Sequence, residues 1–184
     1  MNVRSAAAAF GLAAAVLGAP AAAGPTDAPP CTATEYRQFD FWLGDWDAYD
    51  ADAPNTPAAR VLIEAILNGC AVQETYTGVN GTVGESFSIY DASRRVWHQT
   101  WVTNRGQLLV LEGEFSEGRV TLRATETTAA GPVLWRGVWI PQKGGVRETA
   151  ETSADGGKTW KPRFDMIFRR HGNASSRTPS RPSP

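Results

Sequence analysis

The chain has 184 residues, 18 basic and 19 acidic side chains, 42% hydrophobic residues and two cysteines. That length suits one domain, and so even a charge balance, with no basic stripe, excludes an ordinary nucleic-acid binder. Beyond the N-terminal leader no stretch is long and apolar enough for a transmembrane segment as a helix.

Met1 to Arg4 is short and basic, Ser5 to Leu17 is an Ala-dominated apolar run, and small residues follow through Ala21-Ala22-Ala23. This is the pattern of a secretory signal peptide over residues 1–23, with cleavage expected after Ala23 and Ala21 as the second choice. The expected localisation is secreted or periplasmic. The leader holds Arg4 and no acid, so 17 basic side chains remain against 19 acidic ones. Residues 24–30 form a Pro-rich lead-in. Cys31 and Cys70 are expected to form one disulfide in an exported chain, the alternative being two buried free thiols. Closing that loop contributes about 3–4 kcal/mol on the loop-entropy model. Residues 31–170 are expected to be the folded domain. Residues 171–184, rich in Ser, Pro and Arg, read as a disordered tail that includes His171.

Thr32 to Phe41 patterns as a short helix with Thr32 or Thr34 as cap. After it the pattern is extended. A first strand opens at Gly44-Asp45-Trp46. Further strands are expected over Val61–Asn68, Cys70–Thr77, Val83–Tyr90, Arg95–Thr103, Gln107–Phe115, Arg119–Thr127, Val133–Ile140, Val146–Ser153 and Lys158–Arg169. Asn80-Gly81 is a strong hairpin turn, since both residues tolerate positive φ. The fold class is therefore all-β, an antiparallel up-and-down barrel of about nine or ten strands with a short N-terminal helix. No crossover helix separates the strands, and closure removes exposed edges.

Alternation along each strand selects the inner face. Cys70, Val72, Glu74 and Tyr76 are expected to point inward, with Phe87 and Ile89 from the next strand. Trp97, Gln99 and Trp101 follow, then Leu109, Leu111, Phe115, Val120, Leu122 and Ala124. Trp135 and Trp139 share the inner face, as do Val146, Glu148 and Ala150. Trp160, Phe164, Met166 and Phe168 complete the set. Acids and amides among so many aromatics suggest a wet cavity, because a buried carboxylate needs a partner; the bland alternative is a solvated rim.

Gly44-Asp45-Trp46 resembles the G-x-W signature of lipocalins and other calycins. In that superfamily the Trp closes one barrel end beside an Arg of the last strand. Arg170 has the matching place and parity, and a Trp46–Arg170 stack would contribute roughly 0.5–2 kcal/mol. The run Phe39-Asp40-Phe41-Trp42-Leu43-Gly44-Asp45-Trp46 adds to the resemblance. So do Asn68-Gly69-Cys70, Trp97-His98-Gln99-Thr100-Trp101-Val102 and Asp155-Gly156-Gly157-Lys158-Thr159-Trp160. Together they resemble an uncharacterised bacterial family of exported calycin-like domains, from about Cys31 to Arg170. The resemblance implies a barrel and no assigned activity.

Ser153 to Trp160 also matches the Asp-box of sialidases. One copy cannot build a propeller, so it reads as a hairpin in which Asp155 binds backbone amides and Trp160 packs beneath. His98 shares a face with Val96 and Thr100 and is expected outside, which opposes a haem reading. No nucleophile, zinc or phosphate-loop motif is present, and no metal or cofactor is expected.

The leading functional expectation is a small-molecule-binding barrel. Trp97, Trp101, Trp135 and Trp139, with Tyr76, would stack an apolar or aromatic ligand. Glu74, Gln99 and Glu148 would hold its polar end. The alternatives are an enzyme using Glu74 and Glu148 as acid and base, or a packed barrel that binds an envelope protein through its outer face.

Overall fold

The computed structural model describes residues 31–172; the leader, the lead-in and most of the tail lie outside the described residues. Ten strands form a closed antiparallel barrel: β1 (Gly44–Asp50), β2 (Pro57–Ile66), β3 (Ala71–Gly78), β4 (Val83–Asp91), β5 (Val96–Thr103), β6 (Leu108–Ser116), β7 (Arg119–Thr128), β8 (Gly131–Gln142), β9 (Gly145–Ser153) and β10 (Lys161–Arg170). Each strand pairs with its sequence neighbours, and β1 pairs with β10 to close the ring.

The two barrel ends differ. Before β1, the chain makes two 3-10 turns, Thr34–Arg37 and Asp40–Trp42. They carry Phe39 and Trp42 into one end, where both are almost wholly buried. Phe39 stacks on Trp42 at 5.0 Å and meets Trp97 and Trp139 edge-on at 5.5 and 5.6 Å. Trp42 meets Phe168 at 6.3 Å. These rings are the floor of the barrel. The Cys31–Cys70 disulfide joins the start of the plugging segment to the β2–β3 connection, and the Arg37 guanidinium donates to the Gly69 carbonyl in the same connection.

Trp46 and Arg170 are cross-strand partners, and the Arg170 guanidinium lies 3.9 Å over the Trp46 ring. The Trp46 indole N–H donates to the Trp42 carbonyl at 2.8 Å. Gly44 makes this possible. Its φ is +147°, and a Cβ there would sit 1.5 Å from Arg170 Nη1.

Several expectations need correction. The segment Thr32–Phe41 is not one helix but 3-10 turns, and the first starts after Ala33 with no side-chain cap. In β4 the faces are reversed: Ser86 and Ser88 are fully buried, whereas Phe87 and Ile89 lie outside at 45% and 40% exposure. With Val102, Leu108 and Val110 they form an apolar stripe on the outer wall. Trp160 is not inside either. It precedes β10, which begins at Lys161, and stacks under the Arg136 guanidinium at 4.3 Å on the outer side. His171 is held rather than loose, since its N–H donates to the Asp45 carbonyl and its Nδ1 lies 2.9 Å from the Asp47 carboxylate.

Two outcomes test this end of the barrel. Gly44→Ala combines backbone strain with displacement of Arg170, and should lower unfolding free energy by about 2–3 kcal/mol in urea titration. Replacing Cys31 and Cys70 together by Ala should lower it by roughly 3–4 kcal/mol, because the bridge closes a loop of 39 residues.

Candidate functional site

Among the described residues, none plugs the opposite end. Inward side chains there keep part of their surface accessible: Tyr76, Trp101, Ala124, Trp135, Glu148 and Phe164 are half-buried although they face the barrel axis. Deeper in the wall lies a polar row on three neighbouring strands. Glu74 of β3 is paired across the ladder with Ser86 of β4, and Ser88 with Gln99 of β5. Ser86 Oγ donates to the Glu74 carboxylate at 2.8 Å. Gln99 Nε2 donates to Ser88 Oγ at 3.1 Å and reaches Ser86 Oγ at 3.4 Å. The network is buried, and Glu74 retains 7% of its surface and Gln99 3%.

Glu148 enters from β9, flanked in the ladder by Trp139 and Met166. The buried Trp139 indole N–H is directed to it but completes no hydrogen bond of full geometry with a described acceptor. Asp50, paired with Met166, points inward at the mouth.

Electrostatics tie these acids to one space. Burial pushes the Glu74 carboxyl from 4.5 up to about 7, with the Ser86 hydrogen bond opposing the rise. Burial also raises Glu148 well above the ordinary range, and the Glu74 charge raises it further, against a smaller effect of the Trp139 indole. The Tyr76 phenol is raised by burial and then by the charges of Glu74, Glu148 and Asp50. At neutral pH the two glutamates therefore share a proton population rather than both standing ionised.

Toward the mouth, a cavity of about 480 Å³ opens between β7–β8 and the β9–β10 hairpin. Its walls include Glu126, Val133, Trp135, Thr152, Lys161 and Arg163. The Trp135 indole N–H donates to Glu126 at 2.8 Å, and Arg163 sits 5.5 Å over the Trp135 ring. Asp155, on the hairpin at the cavity edge, has its carboxylate occupied by the Lys158 and Thr159 amides and the Ser153 and Thr159 hydroxyls. These bonds hold it well below the usual carboxylate range, and the role is structural, as the turn pattern suggests.

The expected site residues thus separate into two sets. Glu74, Tyr76, Gln99, Trp101 and Glu148 face the barrel axis, and Trp135 lines the cavity at its mouth. Trp97 and Trp139 belong to the floor, where Trp97 donates to Gln38 at 3.0 Å. His98 is on the outer wall, as parity suggests, beside Glu112 at 3.2 Å and Thr100 at 3.0 Å. Sequence reasoning missed Ser86, Ser88, Asp50, Glu126, Lys161 and Arg163. Among the described residues, no group of three His, Cys, Asp or Glu side chains is placed to hold a metal ion.

Trp101 lies flat on the wall because Gly84, diagonal to it across the β4–β5 ladder, has no side chain. A Cβ on Gly84 would meet the indole at 2.3 Å. The ring then presents its edge to Tyr76, at 5.9 Å and 84° between planes.

Comparison with known protein families gives no matching family model. Comparison with curated proteins gives no significant match either.

The raised carboxyl of Glu74 has a consequence for stability. Its contribution is complete below 4.5 and is lost as pH rises through about 7. Thermal melts should therefore show the protein losing stability from pH ~5 to ~8. Glu74→Gln, which keeps an acceptor for Ser86, should flatten that slope by up to ~3 kcal/mol. An unchanged slope in the variant would locate the effect elsewhere.

Proposed function

We propose that this chain is an exported, calycin-like binding barrel for a small, largely apolar or aromatic molecule with a polar end. One observation carries the reading. The unplugged half of the lumen combines accessible aromatic faces with buried hydrogen-bonding groups that have unused capacity. Trp101, Tyr76 and Phe164 supply surface for the apolar body. Glu74, Gln99 and Glu148 supply the grip, and the cost of burying such groups in a protein that binds nothing would bring no return. The Cys31–Cys70 bridge supports an oxidising compartment. The Gly44-Asp45-Trp46 end closure with Arg170 supports the calycin resemblance.

A neutral aromatic probe such as N-phenyl-1-naphthylamine should bind with micromolar affinity and quench tryptophan fluorescence. Trp101→Ala should weaken it by at least tenfold with little loss of melting temperature, since Trp101 is half-buried beside a glycine. Equal affinity in the variant, or no binding by the intact protein, would overturn the reading.

The raised carboxyls of Glu74 and Glu148 favour a second reading, an acid–base pair acting on the bound molecule. Its mark would be conversion of a ligand co-purified from the host and identified by native mass spectrometry. Glu74→Gln should then retain the ligand and stop its conversion.

A further inference from the structure

The interior is divided by charge along its axis. Glu74 and Glu148 are the charged groups facing the lumen between the floor and the cavity at the mouth, and Asp50 is exposed at the rim of β1. Among the described inward residues no Lys or Arg accompanies them; Arg170 lies below, committed to Trp46. At the mouth the sign changes. Lys161, cross-strand from Thr152, and Arg163, in the bulge that follows it, line the cavity. Neither makes an ion pair with a described residue, and the Arg163 guanidinium rests over Trp135. Glu126, the acid of that cavity wall, accepts the Trp135 indole N–H, and the Asp155 carboxylate is enclosed by its own turn.

The Trp139 N–H, 3% exposed and directed to Glu148, completes no hydrogen bond of full geometry with a described acceptor. A cation brought between Glu74 and Glu148 would favour their ionised forms, and an ionised Glu148 is a stronger acceptor for the Trp139 N–H than the neutral acid. The neighbouring faces of Trp101 and Tyr76 favour the same sign of charge. Thr152, the partner of Lys161, lies four positions beyond Glu148 on β9, a rise of ~13 Å along the strand. Phe164, the partner of Ala150, faces the axis between those levels, and Trp135, the partner of Thr152, lies at the upper one.

Building on the binding reading above, we propose that the ligand is an elongated amphoteric molecule. Its protonated amine sits between Glu74 and Glu148, its apolar middle runs along Trp101, Trp135 and Phe164, and its anionic end meets Lys161 and Arg163.

The test compares four ten-carbon probes by calorimetry or tryptophan quenching: 10-aminodecanoate, decylamine, decanoate and neutral decanol. The amino acid should bind at least tenfold tighter than any of the others. Replacing Lys161 and Arg163 together by Ala, both exposed, should bring it to the level of decylamine. Glu148→Gln should bring it to the level of decanoate, with the fold checked by its melting temperature. If decanol binds as well as 10-aminodecanoate, the binding reading stands and the amphoteric assignment falls. Decylamine matching the amino acid in the unmodified protein would also overturn the assignment, by removing its anionic half. Should none of the four bind, both readings fail together.

Discussion

Phe39 and Trp42 enter the barrel from outside the sheet, and the space above them takes its form from that insertion. A barrel of about eight strands is just wide enough for its own side chains to fill. Ten strands enclose more than their inward residues can occupy. The surplus at one end is taken up by two aromatic rings from the preceding segment, packed against Trp97, Trp139 and Phe168. Each large apolar side chain buried in this way contributes about 1.5–3 kcal/mol, and each well-oriented ring pair about 0.5–1.5 kcal/mol more. Among the described residues the other end has no such filler, so the lumen they form is closed by packed rings at one end only.

The wall above that floor is polar where apolar residues would pack more stably. Leu or Val at the positions of Glu74, Ser86, Ser88 and Gln99 would pack without desolvating a polar group. The chain instead carries a ladder of hydrogen bonds that satisfies most of these groups and leaves two carboxyls in an environment that disfavours their charge. Natural proteins keep such destabilising arrangements where function uses them. The outer wall is held by ordinary means, including ion pairs of Arg136 with Glu151 and Arg147 with Asp165. Partly solvated pairs of this kind add little to stability.

Much of the architecture was legible. Short strands, turn residues at regular spacing and the absence of crossover helices led to a closed antiparallel barrel, and parity placed Trp46 with Arg170 and set Glu74 and Gln99 on the inner face. The β4 error has a specific cause. A two-residue Asn80-Gly81 hairpin would pair Val79 with Thr82 and put Glu74 opposite Phe87. The observed pairing of Thr77 with Val83 leaves an odd number of residues in the connection, which moves the whole strand by one and puts Ser86 there. The preference for large apolar residues inside then misled, because this part of the lumen is polar. Trp160 failed for a related reason: the bulge between Pro162 and Phe164 breaks simple alternation at the start of β10. The cations at the mouth carried no periodic signal, since only the long β9–β10 hairpin brings Lys161 and Arg163 beside Trp135.

The seam between β1 and β10 joins residues more than a hundred positions apart, from Trp46 with Arg170 to Asp50 with Met166. Until the tenth strand arrives, nine strands form an open curved sheet with two free edges, and the plug has only part of its socket. Assembly of this kind is dominated by distant contacts and is correspondingly slow and all-or-none. The β1–β10 seam is thus a latch: while β10 is unpaired the ring stays open, and its pairing with β1 completes the socket and the closure in one event.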